Sequence, residues 1–150
     1  MEHAEYLGRR LAMTAKTVRA YAEHQMAQAG SSLTAAIVTR ILADTPGLTQ
    51  RALADQLGIE GPTMARHLDR LERDGVVTRT RDAADRRALR VELTDRGCEL
   101  RDRLHAVSAH TNDRLGTVFA PDELARFEEY LDRVAAHAAT LIDEREAQTT

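Results

Sequence analysis

At 150 residues, 43% apolar and 30% charged, the chain is long enough for one domain with a core and too apolar to be disordered. Aromatic residues make up only 3% and tryptophan is absent, so packing must come from Leu, Val, Ile, Met and Ala, a composition that favours helices. A single cysteine, Cys98, excludes an intrachain disulfide and a multi-cysteine zinc site, and no apolar run nears the roughly 18 residues that span a bilayer. The opening Met1-Glu2-His3-Ala4-Glu5 is acidic where a secretory leader would be basic, so the expectation is a cytoplasmic protein without membrane contact.

The first element is a helix over 2–29, with Leu7, Leu11, Thr14, Val18, Tyr21 and Gln25 at alternating steps of four and three along one stripe. Gly30-Ser31-Ser32 interrupts it. A second helix is expected over 34–44 with Ile37, Val38, Ile41 and Leu42 inward, closed by Thr45-Pro46-Gly47. A short third helix follows, capped by Thr49 and stopped at Gly58. After a four-residue turn, Pro62 opens a fourth helix over 62–74, since proline loses nothing in a first helical turn, and Gly75 closes it.

The apolar period then changes from that of a helix to that of a strand. Residues 76–81 and 89–93 read as two short strands joined by the polar loop 82–88, a hairpin with an arginine-rich tip. Thr94 caps a long helix carrying Leu100, Leu104, Val107, Leu115 and Val118. Pro121-Asp122-Glu123 starts the last helix, where proline and two acids suit the positive end of the helix dipole. Its stripe is Leu124, Phe127, Leu131, Val134, Ala138 and Leu141, and the tail 147–150 is expected to fray.

Helix, helix, turn, helix, hairpin is the order of a winged helix-turn-helix. The fold class is therefore mainly α with a small β-hairpin wing, a DNA-binding lobe over 31–97 flanked by helices over 1–30 and 98–150. In the helix 62–74, Met64, Leu68 and Leu71 fall within one arc and should pack inward, which leaves Thr63, Arg66, His67 and Arg70 outside. A helix of this kind fits the major groove, and arginine can bond both O6 and N7 of guanine. Arg86 and Arg87 at the hairpin tip suit a narrow minor groove, where the negative potential is strongest. Between residues 62 and 90 eight arginines face five acids, an excess of positive charge in a chain whose net charge is −3. The competing reading of both features is a solvated charged surface, with a local Asp–Arg pair in the loop.

These motifs carry a family resemblance. Gly47-Leu48-Thr49-Gln50, Leu53-Ala54-Asp55-Gln56-Leu57-Gly58, Arg70-Leu71-Glu72-Arg73-Asp74-Gly75-Val76-Val77 and the wing signature Asp85-Arg86-Arg87-Ala88 with Leu93-Thr94-Asp95-Arg96-Gly97 resemble the DNA-binding lobe of the MarR family. Gly58-Ile59-Glu60-Gly61-Pro62 is closest to its SlyA-like branch. The resemblance implies a transcription regulator, a repressor of the MarR type, that reads the major groove with residues 62–74, including Pro62, and the minor groove with Arg86 or Arg87. It implies that Asp85 and Arg87 shape the wing. It further implies a homodimer joined through the terminal helices on a pseudo-palindromic double-stranded operator, and release by a small aromatic or phenolic effector bound between those helices and the DNA lobe.

No residue is singled out for that effector. Lys16, Arg9, Arg10 and Arg19 could meet a carboxylate but are expected to be solvated. Cys98 is expected to act as a small apolar filler rather than a redox sensor, the alternative being a redox-responsive regulator. Neither the six histidines nor any other residues show metal-ligand spacing, so no metal, cofactor or enzymatic activity is expected. The alternative from another class is a winged-helix protein-interaction module, disfavoured because such a module has no use for a basic stripe.

Overall fold

The computed structural model describes residues 6–83 and 85–147, the side chain of Glu146 excepted. Its elements are α1 (Leu7–Gln28), α2 (Leu33–Asp44), α3 (Gln50–Leu57), α4 (Gly61–Arg73), β1 (Val77–Arg81), β2 (Leu89–Leu93), α5 (Asp95–Gly116) and α6 (Pro121–Ala147). Local chemistry explains most boundaries. The Ser32 and Thr49 hydroxyls accept the Ala35 and Ala52 amides at 3.1 Å, satisfying donors that the starts of α2 and α3 leave open. Gly58 ends α3 at φ 62°, and Gly75 follows α4 at φ 71°, both in the left-handed region where a Cβ would be strained. The stretch expected before Leu7 and the frayed tail lie largely outside the described residues.

The chain divides into two compact units, one up to Thr111 and one from Asn112 onward. The core of the first is built from every one of its helices and from the hairpin. Val38 and Leu42 of α2, Leu53 of α3, Met64 and Leu68 of α4, Val77 and Val91 of the hairpin and Leu104 of α5 are all buried, together with Met26 of α1. Two inward positions differ from expectation. Ile37 stays 37% exposed, while Thr39 is fully buried and donates its hydroxyl to the Ala35 carbonyl at 2.8 Å. A threonine that bonds its own helix backbone can occupy a core position without an orphaned hydroxyl.

In the second unit Phe119 and Phe127 stack with ring centroids 5.0 Å apart, and the Glu123 carboxylate accepts the Ala120 amide at 2.9 Å to start α6. Val118 was expected on a helical stripe. It lies past the end of α5 and is 77% exposed. Along α6 the expected stripe is largely uncovered: Phe127, Leu131, Val134 and Leu141 are exposed, and so are Tyr130 and Ile142 beside it.

The hairpin pairs antiparallel from Val77 opposite Leu93 to Arg81 opposite Leu89. A two-stranded ribbon is marginal alone, so its attachments set its direction. At its base the Thr94 hydroxyl donates to the Gly75 carbonyl at 2.6 Å and accepts the Gly97 amide at 3.0 Å, capping α5 while tying it to the end of α4. On the outer edge of β2 the Val91 amide donates to the Leu48 carbonyl at 2.9 Å, and the Arg90 guanidinium reaches the Gly47 carbonyl at 2.8 Å.

Gly97 is the tightest point of the lobe. A Cβ there would overlap the Val76 carbonyl oxygen and sit 3.1 Å from Leu93 Cδ2, so the first turn of α5 approaches the hairpin base as only glycine permits. Gly97→Ala is therefore expected to destabilise the protein by about 3 kcal/mol or more in urea unfolding, since backbone blocks the new methyl. Unchanged stability would mean that this contact is looser than described.

Candidate nucleic-acid interface

An α-helix turns 3.6 residues per revolution, which sorts the surface of α4 into distinct sectors. Met64, Leu68 and Leu71 are buried, as their spacing predicts. Opposite them, Pro62, Arg66 and Arg73 are exposed and lie close together around the outer pole, with Thr63 next to them. Arg73 was not among the residues singled out from sequence. Asp69 and Glu72 lie on the flank facing β1. On the other flank His67 is only half-exposed and lines a cavity, which the exposed Arg70, next to Arg66 around the helix, also borders.

The flank beside β1 is occupied by an ion cluster. Arg79, on β1, lies 2.6 Å from both the Asp69 and Glu72 carboxylates, and its own backbone amide donates to Glu72 at 3.1 Å. The Arg79 hydrogen bond holds the Glu72 carboxyl below the usual glutamate range, and the same bond raises the guanidinium further, against the opposing effect of burial. One guanidinium is thereby shared between two acids of α4, offsetting half of their charge within the protein.

The described residues of the hairpin tip are bonded from inside. Asp82 is buried, accepts the Asp85 amide at 3.0 Å and pairs with Arg90. Asp85 in turn accepts the Arg87 amide at 2.9 Å, and the Arg86 carbonyl accepts from Arg81 at 3.3 Å. The Asp85 carboxylate thus bonds the backbone of Arg87, not its guanidinium. Among the described residues Arg66, Arg73, Arg86 and Arg87 form no salt bridge. Four exposed guanidiniums, two on the helix and two on the hairpin tip, remain available to an external polyanion.

Asp82, Arg79 and Arg90 were not legible as functional positions. Each works through a partner set by strand register or by a distant turn, and no local spacing announces it. The cavity is lined by Ser31, Ser32, Thr34, His67, Arg70, Leu71, Arg96, Leu100 and Arg103 among others and has a volume of about 220 Å³. It gathers three arginines from α4 and α5, and Asp74, which lies 3.9 Å from the Arg70 guanidinium, beside apolar wall. Of the α1 cations considered from sequence, Arg19 is taken by Glu23 at 2.9 Å, and Arg9, Arg10 and Lys16 are exposed. Cys98 is half-buried, and no group of three or more metal-ligating side chains occurs among the described residues. No helix among them is long and apolar enough to cross a membrane.

The model of the MarR family matches residues 32–89, the stretch from the start of α2 into the hairpin. Among solved structures, the transcriptional repressor CouR, bound to a 23-mer DNA duplex, is 30% identical over 89% of this chain and 95% of its own, with a TM-score of 0.80. PcaV from Streptomyces coelicolor, a transcriptional regulator solved with its natural ligand, is 29% identical over 91% of this chain and 94% of its own, at a TM-score of 0.70. A MarR transcriptional regulator from Methanosarcina mazei Go1 shares the fold at 23% identity and a TM-score of 0.80, over 91% of this chain and 99% of that one. With a winged helix-turn-helix lobe, a family match centred on it and a 30% identical relative over nearly its whole length, the chain belongs to the MarR family of transcription regulators.

Proposed function

We propose that the chain is a homodimeric repressor that holds a pseudo-palindromic duplex with α4 and the β1–β2 hairpin, and that an aromatic acid in the cavity beside α4 loosens this hold. One observation carries the DNA-binding part. Of the basic residues in the lobe, Arg79 and Arg90 are consumed by internal carboxylates, whereas Arg66 on the outer pole of α4 and Arg86 and Arg87 on the hairpin tip are left exposed and unpaired. Solvent-exposed guanidiniums on two neighbouring projections suit a major groove and an adjacent minor groove. The similar CouR, solved on DNA, supports the same reading. Thr63 and Pro62 flank Arg66 at the end of α4 that would enter the groove, with Arg70 and His67 further round the helix. Asp85, holding the Arg87 amide, would keep the tip in shape. Within the family we assign the chain to the SlyA-like branch, on Gly58-Ile59-Glu60-Gly61-Pro62.

Residues 31–97 form the reading lobe in this proposal, and the helices over 1–30 and 98–150 join two copies. The uncovered stripe on α6 and the exposed Leu7 and Val18 on α1 are the surfaces that need a partner. A two-fold pair would present two copies of α4 about 34 Å apart, one turn of duplex. The effector part rests on the cavity. Arg96, Arg103, Arg70 and His67 offer donors to a carboxylate, Leu71 and Leu100 offer wall to a ring, and the volume suits a single-ring compound. Because His67 and Arg70 belong to α4 itself, a ligand that prefers one placement of that helix changes the affinity for DNA by its differential binding. The similar PcaV, solved with its natural ligand, supports the presence of an effector.

Three outcomes follow. In fluorescence anisotropy on DNA from upstream of its own gene, Arg66→Ala is expected to cost roughly 1–3 kcal/mol on the specific duplex and to relax base preference. Arg86→Ala is expected to weaken specific and scrambled duplexes more evenly, and to flatten the salt slope by about one unit per lost phosphate contact, or two in a symmetric dimer. Parent-like binding and salt slope in both variants would show that the DNA-binding face is assigned wrongly. Light scattering at micromolar concentration should give twice the chain mass; a monomer that binds the same palindrome tightly would rule out the dimer. Salicylate should weaken operator binding by the parent, while Arg103→Ala should bind DNA normally and lose the response. A parent whose anisotropy and melting temperature ignore a panel of aromatic acids would remove the effector from the proposal.

A further inference from the structure

We infer that Arg79 is a positioning residue for DNA recognition, locking the hairpin onto α4 so that the two elements meet the duplex as one rigid reader. The inference rests on the DNA-binding reading above, and its geometry stands independently of it. The Arg79 side chain is only 16% exposed although it lies on the hairpin. Its Nη2 donates to Asp69 Oδ1 and Glu72 Oε2, both at 2.6 Å, its Nε donates to Glu72 Oε2 at 3.1 Å, and its Nη1 lies 3.5 Å from Gln50 Oε1. One planar group therefore touches α3, α4 and β1 together. A lysine carries the charge but not the fork, so it could not span these partners.

The placement along the strand matters as much as the bonds. The ties at the hairpin base, Thr94 to Gly75 and Val76 to Leu71, fix where the ribbon leaves the lobe. A two-stranded ribbon twists easily about its root, so its two edges need holding as well: Val91 to Leu48 and Arg90 to Gly47 hold the β2 edge, and Arg79 holds the β1 edge against α4. Arg79 is the third residue of β1, part-way toward the tip that bears Arg86 and Arg87. Its two acids lie on α4 between Arg66 and Arg73, on the flank that faces β1. Arg79 thus fixes the α4 side of the span between the helix arginines and the tip arginines. It pairs with Asp69 and Glu72 in the same act, which offsets one of the two negative charges on the side of α4 nearest the hairpin.

The test separates the two grooves. On a duplex from upstream of its own gene that the parent protects, guanine N7 methylation by dimethyl sulfate reports the major groove, and hydroxyl-radical cleavage reports the minor groove. The parent should reach half-protection of both at one protein concentration. Arg79→Gln should keep guanine protection and need roughly tenfold more protein for minor-groove protection, the scale of one lost charge-assisted hydrogen-bond set. Glu72→Gln leaves Asp69 to hold Nη2 and should show a smaller split in the same direction. A loss of both protections in parallel would mark Arg79 as a general stabiliser and overturn the inference, as would coincident midpoints in both variants. Should Arg79→Gln fail to fold by circular dichroism, the Glu72→Gln footprint decides alone. A parent that protects neither groove fails earlier, at the DNA-binding reading, and takes the inference with it.

Discussion

The contact of Gly97 with the Val76 carbonyl is the constraint through which the lobe is assembled. At this point the end of α4, the start of the hairpin and the first turn of α5 meet within a single backbone diameter. Gly75 turns the chain at a left-handed φ of 71°, Val76 buries its side chain beneath, and Thr94 returns to bond both the Gly75 carbonyl and the Gly97 amide. Had α5 carried a side chain at that position, it would stand further off, and the ribbon would lose the surface it leaves from. The direction of the hairpin relative to α4 follows from this packing first and from the Arg79 cluster second.

Charge in this protein has to be counted after folding. Eight arginines between residues 62 and 90 suggest one continuous basic surface when read along the chain. Folded, Arg79 lies between two carboxylates of α4, and Arg90 turns toward Asp82 and the Gly47 carbonyl. What remains outside is a smaller and more sharply placed set. Exposed single ion pairs contribute little, but the mostly buried Arg79 is different in kind, because removing its carboxylates would leave its guanidinium unpaired at low solvation.

Much of this fold was legible because its signals are local. Thr49, Gly58 and Thr94 bound helices through bonds only three or four residues long, and Met64, Leu68 and Leu71 obey the period of a single helix. The switch from helical to alternating period located both strands to within a residue. The features that escaped are those whose meaning lies elsewhere in the chain. Asp82 reads as a loop acid but is buried because it serves an amide three residues on and an arginine of the opposite strand. Ile37 reads as core, yet buried Thr39 takes an inward place two residues on, having its own backbone to satisfy its hydroxyl. His67 and Arg70 read as outward from a helical wheel, and Arg70 is exposed; that both also border a cavity is set by α2 and α5.

The division of the chain at Thr111 has a consequence for how the protein is made. Synthesis proceeds from the N-terminus, and domains fold as units while the rest is still being added. All the residues that build the core of the lobe, from Met26 to Leu104, leave the ribosome before α6, which carries the long uncovered apolar stripe. The lobe can therefore close its interior with no competing greasy helix in reach. Phe127, Leu131, Val134 and Leu141 emerge only when there is a finished globule behind them, so the window in which they could misassociate with an unfinished core is brief.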